Sequence, residues 1–338
     1  MKVLKKWTGI LDKILEYSIY SLIFFIPVST AFTEIFAGLI IGCFVVKKVL
    51  ELTPNIARAT SHRYGIQPSD WFLALFFVFC TISVINAGPY VALSLKALFR
   101  KWGKFLLLYW GVASSLERAQ IRWVLGVFFL SGALVAIDAF SQKFLGHEFL
   151  LGRPLIDVNF TGITVRAITG ALKHPNNLAA YLITVLPLLT GFYLAPKEIS
   201  PRGKWWEALR VGQLLVLVSL GAALALTLSR GGWLGGVTGM LVLAFFLPRK
   251  KVLLAGIVIF FVIIFLIPGF WDRILASFTS TGDSGRYQLW DGAWAMIADY
   301  PLWGRGIGTF MAAFQDYVQG RGAMYAHHCY LQIWAETG

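Results

Sequence analysis

Arg230 has the surroundings in this sequence that most favour a chemical role. It follows an apolar run from Leu214 to Leu228 and precedes another, with only Ser229, Gly231 and Gly232 close to it. A charge at the end of a membrane span usually faces a cavity or a partner, because charge is costly in hydrocarbon. The glycines would let backbone amides approach an anion at a helix start. A guanidinium matches phosphate oxygens, so Arg230 is a candidate phosphate ligand; the alternative is an arginine that only extends to the lipid headgroups.

Arg286 is a second candidate ligand for the same anion. It follows Gly285 where a helix is expected to begin, and helix N-termini favour anions. The alternative is a surface arginine paired with Asp283 or Asp291.

His327 is the candidate base. A neutral imidazole near pH 7 can take a proton from a sugar hydroxyl. Glu336 lies nine residues later, too far along the chain to orient it. No third ligand lies at a spacing typical of zinc or iron sites beside His327 and His328, so we expect no metal and no cofactor.

Five further residues are candidates for binding a diphosphate or a sugar. The stretch His174-Pro175-Asn176-Asn177 precedes an apolar span, and its favoured interpretation is helix capping. His174 would nevertheless lie on the outer face. The five candidates are Arg166, His174, Asn176, Arg305 and His328.

The composition is that of a polytopic membrane protein. Hydrophobic residues make up 57% of the 338-residue chain and charged residues 14%, whereas soluble domains carry about 25% charged residues. The three cysteines lie far apart and indicate neither a disulfide framework nor a zinc site. The net charge of +13 does not argue for nucleic acid, because most basic residues lie at span ends.

Apolar runs of membrane-spanning length recur along the chain. A spanning helix needs roughly 20 apolar residues. We therefore predict an all-α polytopic membrane protein with about ten transmembrane helices, the tenth beginning near Tyr330 and truncated at Gly338. The nine complete spans are predicted at residues 14–29, 31–49, 71–87, 92–116, 122–140, 177–195, 211–228, 233–248 and 251–269.

Basic residues at alternate span ends predict the orientation. Lysines concentrate on cytoplasmic loops, which places the amino terminus in the cytoplasm and the candidate residues on the opposite side. The domain prediction is a helix bundle over 1–270, a polar loop with amphipathic helices over 271–328, and the start of a further transmembrane helix over 329–338. The lysines that carry this prediction are Lys5, Lys6, Lys47, Lys48, Lys250 and Lys251.

Several motifs together resemble the bacterial O-antigen ligase family, within the O-antigen ligase/polymerase superfamily. Arg230-Gly231-Gly232-Trp233-Leu234 is similar to the family's R-x-x-x-L motif. The spacing of His327, Leu331 and Gly338 fits its histidine motif, although His328 stands where the family usually has Asn, Ser or Gln. The segments 174–179 and 285–310 are similar to the wider superfamily, and the likeness covers roughly residues 166–338.

The resemblance implies a C-type glycosyltransferase (GT-C) architecture with a periplasmic active site in the bacterial inner membrane. The donor would be a polysaccharide on undecaprenyl diphosphate, and the acceptor would be the lipid A core within the membrane lipid. By motif position, Arg230 and Arg286 would hold the diphosphate and His327 would be the base of an inverting, metal-independent transfer.

Three alternatives stay open. Within the superfamily, an O-antigen polymerase uses a lipid-linked acceptor, and a protein O-oligosaccharyltransferase uses a Ser or Thr acceptor. A membrane transporter is the alternative from another class, but its ionisable residues would be expected near the middle of the membrane. Here Arg230, Arg286 and His327 are predicted at the outer boundary, which favours an enzyme.

Overall fold

The computed structural model describes residues 2–52, 67–117, 120–160, 163–195, 204–247, 250–267, 270–275, 286–318 and 325–338. Gly285 and Asp283, which the sequence motifs include, lie outside these ranges. The chain divides into two compact units. The first unit comprises Met1–Leu15, Leu39–Ser115 and Asp283–Gly338, and the second comprises Glu16–Gly38 and Leu116–Gly282.

Helices dominate the described residues, and four stretches are long and apolar enough to cross a membrane: Pro68–Ala113, Ile121–Leu145, Pro175–Leu194 and Leu209–Leu226. The prediction of a helical membrane protein is confirmed, while the count of ten spans and the GT-C architecture stay predictions. The helices are α1 (Lys2–Phe25), α2 (Thr30–Glu51), α3 (Pro68–Ser83), α4 (Val91–Ala97), α5 (Lys104–Ala113), α6 (Ile121–Leu145), α7 (Pro175–Leu194), α8 (Lys204–Leu226), α9 (Arg230–Phe246), α10 (Lys250–Leu266), α11 (Phe270–Leu275), α12 (Arg286–Asp299), α13 (Phe310–Ala313) and α14 (Cys329–Thr337).

The stretch Pro68–Ala113, in the first unit, is a helical hairpin. Its direction reverses at Gly88, whose φ of 54° and ψ of −123° are not helical. Beyond the reversal, Trp110 Nε1 donates to Asp70 Oδ1 at 3.1 Å, and Ser69 Oγ lies 3.0 Å from Tyr109 Oη. α3 therefore runs antiparallel to α4 and α5, as the separate spans at 71–87 and 92–116 predict.

The carboxyl-terminal helices of the first unit share a buried core. Ala293, Met296, Phe310 and Phe314 have no measurable exposure and belong to this core, which also includes Leu331 of α14. The sequence suggests that the apolar face of α12 lies along the membrane surface. Much of that face instead packs inside the unit, because α13 and α14 fold back over it.

The second unit is built on α6 to α9. Ser131 of α6 shares a buried 3.0 Å hydrogen bond with Tyr181 of α7, and Leu182, Leu189, Leu220 and Leu224 are fully or almost fully buried between helices. Between α6 and α7, β1 (Ile156–Phe160) pairs with β2 (Ile163–Ala167) as an antiparallel hairpin, with Asp157 opposite Arg166. This hairpin departs from the all-α prediction, which gives no strand to these residues.

Candidate functional site

Two helix N-termini meet in the second unit and place Asn176 beside Arg230. Ser229 caps α9 by accepting a hydrogen bond from Gly232 N at 3.2 Å. The same hydroxyl donates to Asn176 Oδ1 at 2.9 Å, so the second residue of α7 is tied to the residue before Arg230. Arg230 is the first residue of α9 and is partly exposed. We call His174, Asn176, Ser229 and Arg230 the helix-start cluster.

Gly232 lets these two helix starts approach each other. A Cβ built at Gly232 would lie 2.6 Å from the Cβ of Ala179 in α7, closer than two carbon atoms can pack. The turn between α8 and α9 is also tight, since Leu228 has a φ of 52°, which is uncommon for a residue with a side chain. The sequence Leu228-Ser229-Arg230-Gly231-Gly232 therefore fixes Arg230 at a sharply defined helix start.

The arrangement of the helix-start cluster suits an anion. The first N–H groups of a helix have no intrahelical partners, and the aligned peptide dipoles make that end positive. Here two such ends are joined by the bond between Ser229 and Asn176, and Arg230 is the first residue of one of them. This geometry supports the predicted role of Arg230 and adds Asn176 as the residue that connects the two ends.

The other two candidates of the second unit have local partners. The segment 174–177 caps α7, but the capping residue is His174, whose Nδ1 accepts from Asn176 N at 3.1 Å, whereas the sequence favours Asn176 or Asn177 for this role. Arg166 pairs with Asp157 across the β-hairpin at 3.3 Å, and both side chains are well exposed. Their roles in substrate binding stay predictions.

The hairpin that carries Arg166 is anchored to α6 by buried polar groups. The two carboxylate oxygens of Asp138 accept hydrogen bonds from Leu150 N at 3.0 Å and Ala171 N at 2.8 Å. Gln142 Oε1 accepts from Thr169 N at 2.7 Å and from Gly170 N. These bonds fasten both ends of the hairpin segment to the last turns of α6.

Glu148 is the titratable group of this anchor whose buried carboxyl has the fewest hydrogen-bond and ion-pair partners. Its side chain is completely buried, and Arg153 Nε lies 3.4 Å from Oε1. Burial and, next, the neighbouring Asp138 carboxyl raise the pKa of Glu148, while Arg153 opposes this shift. The sequence analysis does not identify this residue.

The two adjacent histidines of the first unit have different environments. His328 caps α14, with its Nδ1 accepting from Leu331 N at 3.2 Å, and its ring packs edge-on against Trp290. His327 is exposed and has a φ of 51°, in the left-handed region that non-glycine residues rarely adopt. Within the described ranges His327 makes no hydrogen bond, ion pair or ring contact.

Arg286 begins the helix that packs beside this histidine segment. It is exposed at the start of α12 and has no ion-pair partner among the described residues, Asp291 included. One turn later, Trp290 Nε1 donates to Ala326 O at 3.1 Å, and its ring centroid lies 5.7 Å from that of His328. Trp290 thus links the helix of Arg286 to the residues on both sides of His327.

Arg305 makes structural contacts within the first unit. Its guanidinium donates to Tyr300 Oη at 2.9 Å and to Asn86 O at 3.3 Å, and it lies 4.8 Å from the centre of the Tyr300 ring. These contacts join the loop after α12 to the Gly88 reversal. A substrate-binding role for Arg305 stays a prediction, beside this evident structural role.

Glu336 is a positioning residue that sequence reasoning missed. Its carboxylate accepts hydrogen bonds from Gly308 N at 2.9 Å and Phe310 N at 3.1 Å, so it anchors the loop that leads into α13. The signal in the sequence was the Gly304-Arg305-Gly306-Ile307-Gly308 pattern, whose three glycines all have positive φ. Such a loop exposes consecutive amides that a carboxylate can accept from.

No group of three or more His, Cys, Asp or Glu side chains able to hold a metal occurs among the described residues. Comparisons with known proteins gave one result that bears on identity: residues 215–338 match the family model described as O-Antigen ligase. No curated protein and no solved structure matched the chain. The match includes Arg230, Arg286 and His327, and it confirms the family resemblance found in the sequence. Residues 215–338 of this multi-pass membrane protein thus match the O-antigen ligase family.

Proposed function

We propose that this protein is an O-antigen ligase that transfers a polysaccharide from undecaprenyl diphosphate to a sugar hydroxyl of the lipid A core. The observation that carries the proposal is His327. It lies in the matched family domain, is exposed without a partner in the described part of the chain, and is held in a left-handed backbone conformation. Such strain at an exposed titratable residue is typical of functional sites.

His327 would act as the general base. Its imidazole would take the proton of the acceptor hydroxyl while the hydroxyl oxygen forms a bond to the anomeric carbon of the donor. The bond between that carbon and the diphosphate oxygen would break, and undecaprenyl diphosphate would leave with the electron pair. Attack opposite to the leaving group inverts the anomeric configuration.

Arg230 and Arg286 would stabilise the leaving diphosphate. Preorganised cations aimed at developing negative charge lower the barrier of such a step. This makes the transfer independent of a metal. The helix-start cluster supports the assignment for Arg230, and the exposed, unpaired guanidinium supports it for Arg286. The periplasmic location of the site and the cytoplasmic amino terminus are part of the proposal.

The test is complementation of ligase-deficient cells of the source organism, followed by gel analysis of lipopolysaccharide. Loss of a general base typically costs about 10²–10⁴-fold in rate, so H327A and R230A are each expected to abolish polymer attached to the lipid A core. Polymer should accumulate on the lipid carrier. The matched controls are H147A and R122A, which replace exposed residues outside the site, with membrane levels of each protein measured.

Two outcomes contradict the proposal. Full attachment of polymer in H327A and R230A would refute the mechanism. Loss of long chains on the lipid carrier, rather than their accumulation, would identify an O-antigen polymerase.

A further inference from the structure

A basic patch lies on the second arm of the helical hairpin in the first unit. Lys96, Arg100 and Lys101 lie on α4 and the π-helical turn Leu98–Gly103, and all three are exposed. No Asp or Glu occurs between residues 71 and 116. Lys96 and Arg100 make no hydrogen bond or ion pair with any part of the chain that the structure describes. The proposed transfer reaction uses none of these three residues.

Packing fixes the direction in which this patch faces. Ser94 and Leu98 are buried, and Leu98 packs with Cys80 of α3 and Ile307. Residues two positions away along a helix lie on the opposite side, so Lys96 and Arg100 point away from the unit.

The patch is bordered by exposed apolar side chains. Leu95 is 40% exposed and Phe99 is 66% exposed. On a membrane protein such side chains contact lipid. Cations beside them stay hydrated or pair with an anion at the headgroup level, because charge is costly in hydrocarbon.

We propose that Lys96 and Arg100 bind the phosphate of an anionic lipid headgroup. Two cations without a partner among the described residues are complementary to a phosphate, and the guanidinium of Arg100 can bind two of its oxygens. The neighbouring apolar side chains favour a lipid over an acidic protein surface, since they would contact the acyl chains. This inference is independent of the proposed ligase reaction.

The test is lipid binding by the purified full-length chain in a nonionic detergent, followed by native mass spectrometry. Phosphatidylglycerol is titrated against phosphatidylcholine for the parent chain and for the double variant K96Q/R100Q. The parent should bind phosphatidylglycerol in preference to phosphatidylcholine. The double variant should bind it about thirtyfold more weakly, since a basic residue near a membrane surface contributes about fivefold.

The matched control is the double variant K47Q/K48Q. It removes the same charge, but these lysines already have carboxylate partners, Asp12 at 2.7 Å and Glu51 at 2.8 Å. Thermal unfolding of both variants verifies folding. The inference is wrong if K96Q/R100Q and K47Q/K48Q bind phosphatidylglycerol equally well, or if the parent binds the zwitterionic lipid equally well. Displacement by equimolar inorganic phosphate would instead identify a site for free phosphate.

Discussion

The adjacent residues His327 and His328 differ in their contacts and therefore in the roles they can have. The Nδ1 of His328 accepts the Leu331 amide, so that nitrogen carries no proton and the ring is committed to capping α14. His327 has no such commitment in the described residues, and its positive φ turns it out of the helix. The family motif spacing selects the same histidine. Geometry and motif therefore agree on the candidate base, although its function rests on the proposed experiment.

Glu148 gives a prediction at the residue scale. Because burial raises its pKa above the ordinary value of 4.5, the folded chain binds this proton more tightly than the unfolded chain. Its contribution to the free energy of unfolding therefore falls as pH rises through the raised pKa. E148Q stays neutral, so its stability relative to the parent should increase as the pH rises from the ordinary pKa toward the raised one, and should level off above it.

Thermal unfolding in detergent at several pH values measures this effect. E34Q is the matched control, because it makes the same substitution at an exposed glutamate. A constant difference between E148Q and the parent across the pH range would show that Glu148 does not titrate as argued. The neighbouring charges that face it, Asp138 and Arg153, are unchanged in this variant.

At the scale of elements, the contact between α7 and α9 depends on Gly232. G232A would place a methyl group against Ala179, and overpacking of this kind costs about 1–3 kcal/mol. We expect a lower melting temperature and displacement of the helix start that carries Arg230.

The matched control for this prediction is G231A. A Cβ at Gly231 has no atom within 4 Å, and alanine is the better helix former by about 1 kcal/mol. G231A should therefore unfold at the same or a higher temperature than the parent. Equal melting temperatures for G231A and G232A would mean that the two helix starts do not pack as closely as described.

Glu336 shows a second way in which elements are positioned. Nine residues separate it from His327 along the chain, and its role is not to orient that imidazole. It instead accepts from the amides that begin α13, and Gly306 N donates back to its carbonyl at 3.0 Å. The glycine-rich loop and α14 are therefore held together by both the side chain and the backbone of one residue.

At the scale of the whole molecule, the orientation in the membrane is the main prediction to test. Cys329 is exposed, whereas Cys80 is fully buried and Cys43 is partly buried. A membrane-impermeant maleimide should label the protein in cells with a permeabilised outer membrane, and C329S should lose most of this label. That result requires the start of α14 to face the periplasm.

The control for orientation is K250C in the C329S background. Lys250 begins α10 and is exposed, and the basic residues around it predict a cytoplasmic position. Its cysteine should be labelled only after the inner membrane is disrupted. The predicted topology would be wrong if K250C were labelled in intact spheroplasts. Protection of Cys329 in the parent chain would then indicate the opposite orientation.

The sequence by itself determined the class of protein and the family that its carboxyl-terminal part resembles. Apolar runs of spanning length and the scarcity of charge predict membrane helices because the bilayer sets both limits. The spacing of Arg230, His327, Leu331 and Gly338 identified the family that residues 215–338 match. These are local patterns, which a reader of one sequence can recognise. Even the start of α12 at Arg286 followed from its flanking residues.

Only the tertiary structure decided which polar residues are committed to the fold. The bond from Ser229 to Asn176 joins positions 53 residues apart, and the contact of Arg305 with Asn86 joins positions 219 apart. Helix packing determines which distant residues become partners. The hydrophobic periodicity of the sequence does not reveal how the helices pack. The same holds for the buried Glu148, because burial depends on neighbours from several elements. The candidate residues could thus be predicted from the sequence. The tertiary structure shows which of them make structural contacts, whereas His327 and Arg286 are exposed.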